Sequence, residues 1–223
     1  MFPLLLAAAC RTLPPGASAV LPEPVPAAAA LPADAARYAI DARASEVRVL
    51  VYRDGPLARF GHNHVIVGRV EGEVRAGRTA DTSGFRLTIP VESFAVDPPG
   101  ARAEEGSEFA ADVSEQARRA TRENMLGREV LDAARFPSIR IESVALGGPP
   151  WNPTVTARVT LRDATRDVRF AAAVFAHGDT LTVIANFRIR QSEFGITPFA
   201  ALNGGLRVGD AIDLRLRLVA RRE

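Results

Sequence analysis

The chain contains no lysine, so all 28 of its basic residues are arginines, and it contains a single cysteine, Cys10. One cysteine excludes an intrachain disulfide bond. The arginines oppose 26 acidic residues, which leaves a formal net charge of +2. Because arginines and acids alternate along the sequence instead of forming a basic cluster, the charge pattern predicts a solvated outer face and no nucleic-acid partner.

The sequence also lacks the short motifs that mark common catalytic sites. It has no phosphate-binding loop, no dinucleotide fingerprint and no serine in a nucleophile elbow. Cys10 precedes the predicted folded part, so a cysteine–histidine catalytic pair is excluded as well. These absences predict a protein that is not an enzyme and that uses no cofactor.

The first 36 residues form two segments whose composition is not that of a folded domain. Residues 1–13 contain a short apolar stretch, FPLLLAAA, followed by Cys10, and resemble a clipped secretory signal with a lipidation motif. The sequence ASA at 17–19 offers an alternative cleavage site. Residues 14–36 are rich in proline and alanine, which is typical of an extended tether. We therefore expect export to the periplasm or envelope, with Cys10 as the candidate lipidation site and that anchor as the only membrane contact.

From Arg37 to the end of the chain, apolar and polar residues alternate with a period of two. The pattern recurs in about eight segments, among them SEVRVLVY, FRLTIPV, VTARVTLR, LTVIANFRIR and AIDLRLRLV. One apolar and one polar face are typical of antiparallel strands that are buried on one side. This pattern therefore predicts that residues 37–223 form an all-β domain. About eight such strands can close into a barrel. A two-sheet sandwich built from the same strands is the alternative.

One helix is predicted between the third and fourth strands, in the segment DVSEQARRATRENMLGREVL. Ser114 is a suitable N-cap, Glu115 follows in the first turn, and Gly127 is expected to end the helix. Such a helix can cover one end of a barrel.

The segment GHNHVIVGRVEGEV, residues 61–74, indicates which side chains face the interior. From Arg69 onward the odd positions are charged and must face water, so the even positions, including His62 and His64, are predicted to point inward. Glycines and alanines on the inward face would leave room for a ligand. The predicted lining consists of His62, His64, Ile66, Gly68, Val70, Gly72, Phe85, Leu87, Ile89, Ala157, Val159, Phe170, Ala172, Ala185 and Phe187.

The two histidines allow three interpretations. They can be structural, with their ring nitrogens hydrogen-bonded to the backbone or to water. They can meet the polar end of an otherwise apolar ligand. They can also bind a metal, but a zinc site needs three or four protein ligands, and the third histidine, His177, falls in a predicted turn. We therefore predict no metal site, with His62 and His64 as the candidates if one exists.

Three stretches, in this order, resemble the YceI-like family, the bacterial polyisoprenoid-binding proteins. They are YAIDARASEVRV at 38–49, RENMLGREVLDAARFPSIRIES at 122–143 and RQSEFGI at 190–196. The resemblance implies a lipocalin-like, eight-stranded antiparallel barrel with one inserted helix, export from the cytoplasm, and a homodimer. It also implies the ligand, a long-chain isoprenoid or another single-chain lipid, which the barrel would carry or sequester in the bacterial envelope.

Two other functions stay open on the sequence alone. His62 and His64 could hold a metal or haem in a redox accessory protein. Alternatively, a fully packed barrel could be an interaction module of the envelope that acts through its tether and its arginine-rich exterior. Replacing Gly68 or Gly72 with leucine is expected to separate these cases, since a packed barrel would be destabilised and a hollow one would lose ligand.

Overall fold

Antiparallel β-strands form the framework of residues 30–223, the part of the chain that the structure, a computed structural model, describes. In chain order the strands are β1 (Ala36–Ile40), β2 (Glu46–Val51), β3 (Arg53–Asp54), β4 (His64–Arg69), β5 (Glu71–Ala76), β6 (Gly84–Pro90), β7 (Ala95–Val96), β8 (Ser138–Gly147), β9 (Thr154–Leu161), β10 (Ala164–His177), β11 (Thr180–Arg190), β12 (Ala200–Ala201), β13 (Leu206–Val208) and β14 (Ala211–Arg222). The α-helix, α1, spans Glu115–Leu126. Cys10 and the predicted signal segment, 1–13, lie outside the described residues, as does most of the predicted tether.

The main sheet closes on itself. Hydrogen bonds connect the strands in the order β1-β5-β6-β8-β9-β10-β11-β14, and β14 pairs again with β1. Strand β2 pairs with the first half of β14, and β1 pairs with its end, so β1 and β2 act as two segments of one barrel strand. The predicted eight-stranded antiparallel barrel is thereby confirmed, and the alternative two-sheet sandwich is wrong.

The register of the strands places the apolar rows side by side. Leu216 of β14 lies opposite Ala185 of β11 on one side and Val47 of β2 on the other, and all three are buried. The next residue, Arg215, lies opposite Asn186 and Arg48 on the outer face. Because side chains alternate along a strand, this register directs the apolar rows into the barrel and the charged rows into water.

The helix lies where the sequence predicts it, between β7 and β8. The Ser114 side chain accepts a hydrogen bond from the Ala117 amide at 3.2 Å, and Gly127 follows the last helical residue. The Arg122 guanidinium donates to the carbonyl oxygens of Glu92 and Phe94 at 2.9 and 3.0 Å, which fixes the helix to the chain that leads into β7. No helix among residues 30–223 is both long and apolar enough to cross a membrane.

A small second sheet extends one end of the barrel. It has the order β12-β13-β3, and β13 pairs with β3 just beyond the end of the β14–β2 pairing. We call this the end sheet. Phe60, Phe199 and Leu202 are exposed beside it.

Candidate functional site

The barrel encloses an apolar cavity of about 600 Å³. Its wall consists almost entirely of aliphatic and aromatic side chains that come from every strand of the barrel. A cavity of this size is in the range of small-molecule binding sites, which are concave and mostly apolar. The interior is therefore hollow, which argues against the fully packed barrel considered above.

Many of the predicted lining residues do lie on the cavity wall. They are Ile66, Phe85, Leu87, Ile89, Val159, Phe170, Ala172, Ala185 and Phe187. That these side chains contact a ligand stays a prediction.

Large and small residues are segregated on the wall formed by β10 and β11. The rings of Phe170 and Phe187 stack with their centroids 4.2 Å apart. Directly beyond them, Ala172 of β10 pairs with Ala185 of β11, and both methyl groups face the cavity. The alanine pair therefore leaves space that a larger aliphatic pair would fill.

The two ends of the cavity differ in their exposure to solvent. At the end near α1, it is bounded by Phe94, Leu131, Phe194 and Ile196, which are at most 9% exposed. At the opposite end, Trp151 lines the cavity although it is 69% exposed, so it lies on the boundary between the cavity and water. We call the first end the blind end and the second the mouth. The cavity therefore meets solvent at the mouth, whereas buried side chains bound its other end.

His64 is part of a buried hydrogen-bond network and not of the cavity wall. Its Nδ1 lies 2.7 Å from Oδ2 of Asp97, and its Nε2 lies 3.4 Å from the Thr121 hydroxyl of α1. Asp97 is 2% exposed and also accepts hydrogen bonds from the Val65 amide and from Arg102 at 2.8 Å. Burial alone would raise the pKa of Asp97, but these hydrogen bonds outweigh it and hold the pKa below its usual value.

This network fastens a long loop, residues 97–111, over the outside of β4. Arg102 donates to the carbonyl oxygens of Asn63 and Ala111 at 2.6 and 2.8 Å, and Asn63 donates to that of Glu108 at 3.0 Å. Beneath the loop, Val65 packs in a second apolar cluster with Leu50 and Phe109. Here β4 is therefore covered on both faces, and the first interpretation of His64, a structural one, describes its position best.

The prediction that His62 points inward is wrong. Strand β4 begins only at His64, so the alternation does not extend back to His62, which is exposed. Partial desolvation lowers the pKa of His62, and the nearby charges of His64, Arg102 and Arg53 lower it further. The two imidazole centroids are 6.4 Å apart, and residues 30–223 contain no group of three or more histidine, cysteine, aspartate or glutamate side chains placed to hold a metal ion. This geometry does not favour the redox alternative.

The two glycines do not contribute to the cavity in the way predicted. A Cβ on Gly68 would lie 2.6 Å from the Phe94 ring, so this ring already occupies the space above the glycine. Gly72 has a φ of +134°, and a Cβ there would lie 2.1 Å from the Arg86 carbonyl oxygen. Gly72 thus permits a left-handed backbone and a close approach of two strands.

Two more predicted residues are buried but do not line the cavity. Val70 and Ala157 have no accessible surface, and a side chain that faced an empty cavity would have some. Both belong to the main core cluster. Their alternation correctly predicts the inward face, but neighbouring side chains cover them.

Sequence reasoning missed several residues of the cavity wall because they lie outside the strands. Phe94, Met125, Val130 and Phe194 lie at or near the blind end, and Trp151 lies at the mouth. The only indication of these residues in the sequence is their apolar type, because apolar side chains between strands can close the end of a barrel.

Comparison with known proteins gives a consistent result. The sequence profile of the YceI-like domain matches residues 38–220. No curated protein sequence matches the chain at a significant level. The structure of BcnA from Burkholderia cenocepacia is similar with a TM-score of 0.54 and 17% sequence identity, over 81% of this chain and 98% of that one. A domain from Saccharophagus degradans, described as a polyisoprenoid binding domain implicated in plant cell wall breakdown, has a TM-score of 0.52 and 13% identity, over 83% and 98% of the respective chains. At these identities the likeness shows a shared fold.

Proposed function

Because the chain belongs to the YceI-like family, we propose that it binds a long-chain isoprenoid or a similar single-chain lipid inside its barrel. We further propose that it carries or sequesters this lipid in the bacterial envelope. The observation that carries the proposal is the hollow apolar pocket with a blind end and a mouth. The Saccharophagus domain of the same fold, described as polyisoprenoid binding, supports the choice of ligand.

The size of the cavity sets the length of chain that fits. If each chain atom occupies about 30 Å³, the share of one water molecule in the liquid, the 600 Å³ cavity holds about 20 atoms. This equals about four isoprene units. Each methylene moved from water into the barrel contributes about 0.8 kcal/mol, so a chain of this length would be retained strongly. Longer chains would protrude through the mouth.

The exposures of the two ends predict the orientation of the ligand. The hydrocarbon tail would lie against the buried rings of Phe94 and Phe194 at the blind end. The polar headgroup would stay at the mouth near Trp151, where it can remain hydrated. His62 and His64 would not contact it, because one is exposed and the other is bonded to Asp97.

Identification of the bound lipid tests the proposal. Protein purified from its own host is extracted with organic solvent, and the extract is analysed by mass spectrometry next to native mass spectra of the intact complex. We expect one single-chain amphiphile per barrel, and apo protein is expected to bind added prenyl alcohols or prenyl quinones. Apo protein that ignores these probes while it remains folded would contradict the proposal.

Location and assembly are proposed together with the function. We propose that residues 1–13 direct export, that Cys10 carries a lipid anchor, and that the protein acts in the periplasm or on the envelope as a homodimer. Mass spectrometry of the N-terminal peptide from the membrane fraction, compared with a Cys10→Ser variant, tests the anchor. Light scattering of the purified protein tests the dimer, since a monomer at all concentrations would refute it.

A further inference from the structure

Two stretches of chain that reach the mouth carry no acidic or basic side chain, although the exposed Arg78, Asp81 and Asp179 also lie at this end of the barrel. No acidic or basic residue occurs between Glu142 and Arg158, the stretch that includes the β8–β9 loop. The run FAAAVFAHG at 170–178 contains none either, apart from His177. Both runs reach the same end of the barrel, because the Val174 amide donates to the Trp151 carbonyl oxygen at 2.9 Å.

Two large apolar side chains are exposed on this rim. Trp151 is 69% exposed and borders the cavity, and Phe175 is 58% exposed on the outer face of β10. Pro149 and Pro150 precede Trp151 and are also exposed. We call Pro149–Asn152 together with Phe175 the mouth rim. An exposed apolar patch that continues into an apolar cavity is typical of a surface that meets an apolar partner.

The N-terminal segment reaches the barrel at the same end. Leu31 and Pro32 lie within 3.2 Å of the position that a Cβ on Gly84 would take, and Gly84 lines the cavity near the mouth. Strand β1 then starts at Ala36, opposite Ala76, which also lines the cavity. The 29 residues that precede the described part are therefore joined to the barrel beside its mouth and not at the blind end.

We propose that the mouth rim docks on the surface of a lipid bilayer, so that the mouth faces the membrane and the lipid passes between bilayer and cavity without crossing bulk water. This inference rests on the proposed function, because it names the partner from which the ligand comes. Tryptophan is favoured at the membrane–water boundary, since its ring is apolar and its N–H is polar. An anchor in residues 1–13 would hold this end of the barrel near the membrane.

The end sheet offers a second exposed apolar group and serves as the internal control. Phe60 is 62% exposed and Leu202 is 65% exposed, with the guanidinium of Arg59 placed 4.5 Å from the centroid of the Phe60 ring. This group lies at the end of the barrel away from the mouth, beyond the buried residues of the blind end. Docking there would not open a route to the cavity.

Trp151 is the only tryptophan of the chain, so its fluorescence reports on the mouth alone. The full chain is mixed with vesicles of phosphatidylcholine and phosphatidylglycerol in which part of the phosphatidylcholine carries bromine on its acyl chains. We expect the Trp151 emission to shift to shorter wavelength and to be quenched by the brominated lipid. Phe175→Ser is expected to weaken this docking about tenfold, because one exposed aromatic ring is lost from the contact. The matched variant Phe60→Ser is expected to leave it unchanged.

The outcomes separate this inference from the proposed function. Vesicle binding without quenching of Trp151, or binding that depends on Phe60 and not on Phe175, would place the contact elsewhere and overturn the inference. Absence of vesicle binding by the full chain would overturn the inference as well. Binding of a soluble prenyl alcohol is measured separately in vesicle-free buffer, where Phe175→Ser is expected to bind as the wild type does. If that binding fails while docking persists, the proposed function falls and the docking surface stands.

Discussion

The alanine pair on the cavity wall allows a direct test of the hollow barrel. We predict that the double variant Ala172→Leu/Ala185→Leu shortens the chain that the barrel can hold but leaves its fold intact. These two residues pair across β10 and β11 and face the cavity, so leucines would grow into empty space. They are better positions than Gly68 and Gly72, where added atoms would meet the Phe94 ring and the Arg86 backbone and would destabilise any barrel.

The size of the effect follows from the volume. Each alanine-to-leucine change adds three heavy atoms, so at about 30 Å³ per atom the pair removes about 180 Å³ of the 600 Å³ cavity. The capacity falls from about 20 chain atoms to about 14. For a chain of about 20 carbons, about six methylenes would be expelled, which costs up to about 5 kcal/mol or more than a thousandfold in Kd. A chain of about ten carbons would lose nothing.

The assay is a titration with prenyl alcohols of increasing length, followed by Trp151 fluorescence at the mouth. Ala171→Leu is the matched control, because Ala171 lies on the same strand but is exposed on the outer face. We expect the control to bind every length as the wild type does. An equal loss of affinity for short and long chains, or undiminished binding of the longest chain by a folded double variant, would refute the reasoning.

Three further predictions concern stability, measured as the free energy of unfolding in urea. Asp97→Ala should cost about 3–5 kcal/mol, because it leaves Arg102 and the Val65 amide without their buried acceptor; a loss below about 1 kcal/mol would show that the network does not fasten the loop. The folded-state pKa of Asp97 is lowered, so the stability that its ionised carboxylate contributes is complete above about pH 4 and is lost as the pH falls through that folded-state pKa. We therefore expect the wild type to lose more stability in acid than the Asp97→Asn variant loses. Gly68→Ala should cost about 1–3 kcal/mol through contact with Phe94, and Phe94→Leu should relieve part of that cost in a double-mutant cycle. Additive effects in that cycle would contradict the contact.

The sequence predicts the barrel well, because the alternation of apolar and charged residues decides which face of each strand is buried. Leu214, Leu216 and Leu218 line the cavity as their period of two requires. The helix is equally predictable, since Ser114 and Gly127 mark its ends.

The histidines could not be placed by the same argument, since alternation applies only where a strand exists and only where one face meets water. His62 precedes β4, and the loop of residues 97–111 covers the outer face next to His64. Both features depend on residues distant in sequence. The same holds for Gly68, whose space is taken by Phe94 from a segment 26 residues further along. Local patterns do not contain this information.

The way in which β14 closes the barrel has a consequence for biosynthesis. This strand contains the last regular residues of the chain, Ala211–Arg222, and it pairs with β11, β2 and β1. The Ser45 hydroxyl bonds to the backbone of Val219 across 174 residues of sequence. The barrel therefore cannot close until β14 has been synthesised, and until then the sheet has two open edges that invite aggregation. A stop codon ahead of residue 211 would remove β14 and leave the barrel permanently open.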